Sequence, residues 1–178
     1  MEKKPSIGPN ESEYIGQVLT ATAESMSAGL SKFSGWMLVG FAAILGILLI
    51  NIESTEKFLP PGALSRIVML FSMAVLLNLL HRFAAAVVSS SAEIAKKMRD
   101  QPVPENINVA LILSQLEYAA LWPARLLVRR ANQNILSGDL AAAGRLLSTL
   151  AQIEAWLVFT QALISVAAIF VLAFNLQG

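Results

Sequence analysis

The chain has 178 residues and a formal net charge of +1; 56% of its residues are hydrophobic and 14% are charged. Soluble domains carry about 25% charged residues, and a nearly neutral chain offers no electrostatic basis for binding nucleic acid. The absence of cysteine and the presence of a single histidine, His81, exclude disulfides and thiol chemistry and argue against a transition-metal site. We therefore expect no metal and no cofactor.

Long apolar blocks define the expected architecture. Blocks of about 18 or more residues are long enough to cross a bilayer as helices. Three apolar blocks of this length predict transmembrane helices at 34–52, 63–81 and 155–176. The second carries one charge, Arg66, near its loop end, where the side chain can reach the interface. Trp36 and Trp156 stand at the start of the first and third spans, where tryptophan anchors helices at the membrane interface. The expected fold class is an all-α integral membrane protein with three transmembrane helices, two or more of which extend into a cytoplasmic helical bundle.

The N-terminal region is predicted to be a disordered tail at 1–10, followed by a cytoplasmic helix at 11–33 that Ser12 caps. Apolar or small residues recur there at three- and four-residue steps, as expected for the buried face of a helix. They are Ile15, Val18, Leu19, Thr22, Met26, Leu30 and Phe33. Nothing interrupts the pattern before the first span, so we expect one continuous helix.

An outer loop at 53–62 ends in Pro-Pro-Gly, which is a strong stop signal. After the second span, residues 82–154 are predicted to be a cytoplasmic helical portion with breaks near 100–106, 123 and 137–139. At the last break, Gly138 ends one helix and Asp139 caps the next. The last helix carries a near-heptad stripe made of Leu140, Ala143, Leu147, Leu150, Glu154 and Leu157.

The segment 107–136 is apolar but is interrupted by Gln115, Glu117 and Pro123. Basic residues lie on both sides of it, so the positive-inside rule places both flanks in the cytoplasm, and an even number of crossings separates them. Zero crossings is the simplest solution, with a short re-entrant pair as the alternative. The N-terminus is then cytoplasmic and the C-terminus extracytoplasmic, in what we take to be a bacterial inner membrane.

Polar residues inside the predicted spans are the first candidates for functional contacts. They are Asn78, Thr160, Gln161 and Ser165. Because unsatisfied polar groups in lipid are costly, these side chains either hydrogen-bond between helices, which we favour, or line a polar pathway. We expect His81, beside Arg82, to be an interfacial anchor, with a proton relay as the alternative. Glu117 is expected to pair with an arginine or to face water.

Small and basic residues supply two further sets of candidates. Gly40, Ala43 and Gly46 recur at three-residue steps and predict close helix packing, within one chain or between copies. A basic face is expected to contact lipid headgroups. It consists of Arg125, Arg129, Arg130 and Arg145.

No nucleophile, metal or phosphate motif occurs in the sequence, and no span carries paired carboxylates. The sequence therefore favours a non-enzymatic helical subunit of a membrane protein complex, such as a secretion, transport or signalling assembly. The alternative is a homo-oligomeric membrane pore or channel. In both cases the expected partners are membrane lipids and other membrane subunits or further copies of this chain.

Overall fold

A computed structural model describes residues 8–51, 53, 59–60, 62–99, 108–119 and 124–175. Of these described residues, 92% are helical and none lies in a strand. The helices are α1 (Pro9–Ile50), α2 (Ala63–Arg99), α3 (Val109–Ala119), α4 (Ala124–Leu136) and α5 (Ala142–Asn175). The predicted all-helical class is confirmed.

Three of the described helices, α1, α2 and α5, are long and apolar enough to cross a membrane. They contain 42, 37 and 34 residues, and at a rise of 1.5 Å per residue each exceeds the roughly 30 Å thickness of the hydrocarbon core. The predicted three long apolar helices are therefore confirmed. With 11 and 13 residues, α3 and α4 are each too short to span.

The start of α1 differs from the prediction. The helix begins at Pro9, a favourable first position because proline lacks the backbone N–H that would otherwise be unpaired. The Gly8 N–H donates to Glu11 Oε2 at 3.0 Å, which caps the first turn. Ser12, the predicted cap, instead accepts a hydrogen bond from the backbone N–H of Ala141. The first seven residues of the predicted tail lie outside the described residues.

The helix break at Gly138 and Asp139 follows the predicted chemistry. Gly138 has a φ of +93°, a conformation that glycine adopts without steric cost. Asp139 Oδ1 accepts the N–H of Ala141 at 3.2 Å and so caps α5. The predicted breaks near 100–106 and 123 lie outside the described residues, as does most of the outer loop.

The chain divides into two compact units. The first unit comprises residues 1–26 and 88–151. Its buried apolar cluster consists of Ala23, Val88, Leu147 and Ala151. The backbones of α1 and α5 approach closely here, since a Cβ added to Gly144 would lie 2.9 Å from the Gly16 Cα and closer still to the Gly16 carbonyl oxygen. Close approach of this kind requires glycine at position 144.

The second unit comprises residues 27–87 and 152–178 and contains parts of α1, α2 and α5. Its buried apolar cluster consists of Phe41, Leu45, Ile67, Ala74 and Ala168. Large apolar side chains on the same helices, among them Trp36, Leu76 and Phe170, point outward. Apolar outer faces of this kind are expected of helices surrounded by lipid.

The buried face of α1 is not the predicted apolar stripe, whereas the predicted stripe of α5 is buried in part. On α1, Val18 and Phe33 are 46% and 56% exposed, whereas Ala23, Ser27 and Ser34 are buried. Of the stripe predicted for α5, Leu147 and Glu154 are buried, Leu150 and Leu157 are half-buried, and Ala143 is exposed, while Leu140 lies before the helix. The further buried positions of the helix are Ala142, Gly144, Ala151, Val158, Gln161, Ser165 and Ala168. Small residues allow the helices to approach closely, and polar residues gain partners inside, so these residues take the interior positions.

Candidate functional site

Polar side chains fill much of the interior of the second unit. The buried ones are Ser27, Ser34, Asn78, His81, Glu154, Gln161 and Ser165. They come from α1, α2 and α5. On each helix they are three, four or seven residues apart, so they lie on one face of that helix. Five of them form two groups, which we call the amide network and the acid–imidazole pair.

The amide network consists of Ser34, Asn78 and Gln161. The Ser34 hydroxyl donates to Gln161 Oε1 and accepts from Asn78 Nδ2, each at 2.6 Å. Gln161 Nε2 donates to the Ser34 carbonyl at 3.4 Å. At its edge, Arg82 Nε donates to Asn78 Oδ1 at 3.1 Å. The three helices are thus joined through one buried serine.

The acid–imidazole pair consists of His81 on α2 and Glu154 on α5, both completely buried. His81 Nδ1 and Glu154 Oε2 are 3.7 Å apart. Two serines of α1 flank the pair: the Ser27 hydroxyl donates to Glu154 Oε2 at 2.7 Å, and the Ser31 hydroxyl lies 3.3 Å from His81 Nε2. Within the described structure, His81 Nδ1 and Glu154 Oε1 have no hydrogen-bond partner.

A groove of about 520 Å³ lies between α1 and Arg82 of α2. We call it the α1–α2 groove. It is lined by Ser31, Lys32, Gly35, Trp36, Leu38, Val39 and Arg82. Ser31 therefore faces the groove and also contacts the His81 ring.

The polar candidates of the spans do not all share one site. Asn78 and Gln161 meet in the amide network, and the Ser165 hydroxyl donates to the Gln161 carbonyl at 3.0 Å. Thr160 is exposed, and its hydroxyl donates to the Trp156 carbonyl of its own helix. His81 is not the interfacial anchor expected, because its ring is buried against Glu154 rather than exposed.

The predicted small-residue stripe lies on the outer side of α1. Gly40 and Ala43 are exposed, and a Cβ added to Gly40 or Gly46 would meet nothing within 4 Å. Within the described chain, Phe41 and Leu45 supply the packing of this stretch instead. The close helix approach expected of small residues occurs at Gly16 and Gly144 in the first unit.

The four arginines divide into two pairs within the first unit. Arg130 and Arg145 line one hollow of about 260 Å³, and Arg145 is also paired with Asp139. Arg129 Nε lies 3.7 Å from Glu117 Oε1, so Glu117 has the arginine partner expected of it. The Arg125 guanidinium lies 5.6 Å from the centre of the Tyr118 ring. Arg130 and Arg145 therefore lie side by side, whereas Arg125 and Arg129 contact α3.

Several residues of the site were missed from the sequence. Ser27, Ser31 and Ser34 lie on the face of α1 away from the predicted apolar stripe. Their spacing of four and three residues was the feature of the sequence that could have indicated a polar face. Glu154 and Gln161 are seven residues apart, which places them on one face of α5. Among the described residues, no three His, Asp or Glu side chains come together as metal ligands.

Comparison with known protein families, with curated proteins and with solved structures finds no match to this chain. The class that the fold defines is an all-helical protein with three helices that could span a membrane. The function of the chain is therefore inferred from its own residues.

Proposed function

We propose that this chain is a non-enzymatic helical subunit of a membrane protein complex, placed in a bacterial inner membrane with its N-terminus in the cytoplasm. The observation that carries the proposal is an exposed apolar stripe on α1 in the first unit. Tyr14, Val18 and Met26 lie at steps of four and eight residues and therefore on one face, and Tyr14 is 69% exposed. The sequence places this stretch outside lipid, where an exposed apolar stripe marks a protein contact.

The burial of the polar side chains supports a subunit over the alternative, a homo-oligomeric pore. A lumen between copies needs polar groups on the outer faces of the spans. Gln161 is completely buried and Asn78 and Ser165 nearly so, and their hydrogen bonds lie within one chain. Thr160 is exposed, but its hydroxyl bonds to the carbonyl of its own helix, and the exposed residues beside it, Phe159 and Leu163, are apolar.

The proposal is tested by native mass spectrometry of the tagged full-length protein, purified in a mild detergent or nanodisc. We expect the particle to retain other membrane proteins or further copies of the chain. Val18→Glu should reduce the retained partner at least tenfold because it places a charge in the apolar stripe. Glu24→Gln, at an exposed position of α1 away from the stripe, is the matched control.

A monomer without partners in native-like lipid would contradict the subunit proposal. So would a partner that Val18→Glu and the wild-type chain retain equally. A single homo-oligomer of three or more copies that conducts ions in planar bilayers would favour the pore instead.

A further inference from the structure

The acid–imidazole pair is incomplete in a chemically specific way. His81 Nδ1 and Glu154 Oε1 are buried without a partner, and Nδ1 is 3.7 Å from the second carboxylate oxygen, Oε2. A direct hydrogen bond between such groups is about 2.7–2.9 Å long. Unpaired polar atoms are costly in a protein interior. The unpaired atoms and the long separation between Nδ1 and Oε2 both indicate that the pair can bind a further species.

The pair belongs to a chain of groups that can each exchange a proton. Ser31 contacts His81 Nε2, His81 Nδ1 faces Glu154, and Glu154 accepts from Ser27. Imidazole accepts a proton on one nitrogen and releases it from the other, which suits it to the middle of such a chain. Because Ser31 also lines the α1–α2 groove, water in the groove reaches the first group of the chain.

The chain of exchangeable protons ends inside the second unit. Beyond Glu154 the buried positions on α5 are Val158, Gln161, Ser165 and Ala168. The Gln161 amide is bonded at both ends to Ser34, the Ser165 hydroxyl is bonded to the Gln161 carbonyl, and Ala168 lies in the apolar cluster. In the described residues, no further ionisable group continues the path beyond Glu154. The geometry is that of a binding site open on one side, and a conducting path would need a second opening.

We propose that His81 and Glu154 form a binding site for a single proton, which enters from the α1–α2 groove through Ser31. The empty site holds a Glu154 carboxylate and a neutral imidazole protonated at Nδ1. A hydronium ion in the groove gives a proton to Ser31 Oγ, and the hydroxyl proton of Ser31 passes to His81 Nε2. The Nδ1 proton then moves to the Glu154 carboxylate. One proton is gained, the charge of the pair changes from −1 to zero, and the ring changes tautomer.

The charges around the site come from each helix packed against it. On α2, Arg82 follows His81 and lines the groove, and on α1 Lys32 lines the same groove. On α5 the facing group is Glu154 itself, and the serines of α1 are neutral. When the proton is bound, the His81 ring donates a hydrogen bond to Ser31 instead of accepting one. Ser27 then faces a neutral carboxyl group of Glu154 instead of a carboxylate. The occupancy of the site is thereby linked to the contacts of α1 with α2 and α5.

The test uses the single histidine of the chain, because one labelled imidazole reports one site. The full-length protein, labelled with ¹⁵N-histidine in nanodiscs, is titrated between about pH 5 and pH 8, and both ring nitrogens are followed by NMR. We expect the proton to move from Nδ1 to Nε2 as the pH falls. Glu154→Gln should abolish the change of tautomer, and Glu93→Gln, which removes an exposed carboxylate, should leave it unchanged.

Ser31→Ala provides a second measurement that does not remove the buried pair. Proton exchange at the ring should slow by about tenfold or more, since the link to the groove is lost. The proposal is overturned if the His81 nitrogens respond to pH identically in the wild-type and Glu154→Gln proteins, or if they do not respond at all. An unchanged exchange rate in Ser31→Ala also overturns it, whether or not Glu154→Gln folds.

Discussion

Ser34 is the smallest side chain of the amide network and the one that joins its members. Its hydroxyl serves Gln161 and Asn78, and its carbonyl accepts from Gln161. Because the hydroxyl can donate and accept at once, it can satisfy an amide oxygen and an amide nitrogen on two other helices. Removing any one member therefore leaves buried polar atoms without partners.

Replacing Gln161 with leucine tests whether the network stabilises the protein or lines a pathway. We expect Gln161→Leu to lower the free energy of unfolding by about 1–3 kcal/mol, because the Ser34 hydroxyl loses its acceptor. Denaturant unfolding in detergent micelles would measure the change. Neither the wild-type protein nor the variant should conduct ions in proteoliposomes.

Thr160→Val is the matched control for Gln161→Leu, since the Thr160 hydroxyl is exposed and bonds only to its own helix. Its effect should stay within about 0.5 kcal/mol. Equal losses in the two variants would argue against a stabilising network. An ion conductance that Gln161→Leu changes would support a pore.

At the scale of the helices, residues seven apart organise the interior of the second unit. Such residues lie on one seam of a helix in supercoiled packing. The seams are Ser27, Ser34 and Phe41 on α1, Ile67, Ala74 and His81 on α2, and Glu154, Gln161 and Ala168 on α5. Along each seam the residues change from ionisable or polar to apolar. The acid–imidazole pair, the amide network and the apolar cluster are therefore successive layers of one bundle.

The close approach of α1 and α5 in the first unit makes Gly144 the most sensitive glycine described. We expect Gly144→Ala to lower the free energy of unfolding by about 1–3 kcal/mol, because the added methyl group meets the backbone of Gly16, which cannot move aside as a side chain would. Thermal unfolding of the purified protein would measure the loss.

Gly46→Ala is the control on an open helix face. It should be neutral or stabilising by up to about 1 kcal/mol, because alanine favours helix more than glycine does. If Gly46→Ala instead dissociates an oligomer, the stripe of Gly40, Ala43 and Gly46 is a packing surface between copies, as one reading of the sequence predicts.

For the whole molecule, the orientation in the membrane depends on how often the chain crosses. With three crossings and a cytoplasmic N-terminus, the C-terminus lies outside. A reporter fused after Gly178 should therefore be active outside the cytoplasm. Alkaline phosphatase fusions would measure this, with a fusion after Arg99 as the cytoplasmic control. An inactive Gly178 fusion, like the fusion after Arg99, would mean that the segment 107–136 crosses the membrane.

The sequence by itself determined the helical class, the three long apolar helices and the break at Gly138 and Asp139. These features depend on properties that run along the chain, namely the length of apolar blocks and the local chemistry of helix ends. The inclusion of Asn78, Gln161 and Ser165 among the polar contacts also followed from the sequence, because any polar group in an apolar helix needs a partner.

Only the tertiary structure decided which face of each helix is buried and which polar groups meet. Where nearly every position is apolar or small, hydrophobic periodicity does not distinguish the buried face of a helix from its exposed face. The interior of α1 is consequently made of Ser27 and Ser34 rather than Val18 and Phe33. The pairing of His81 with Glu154 depends on the packing of α2 against α5, which no local pattern of either helix specifies.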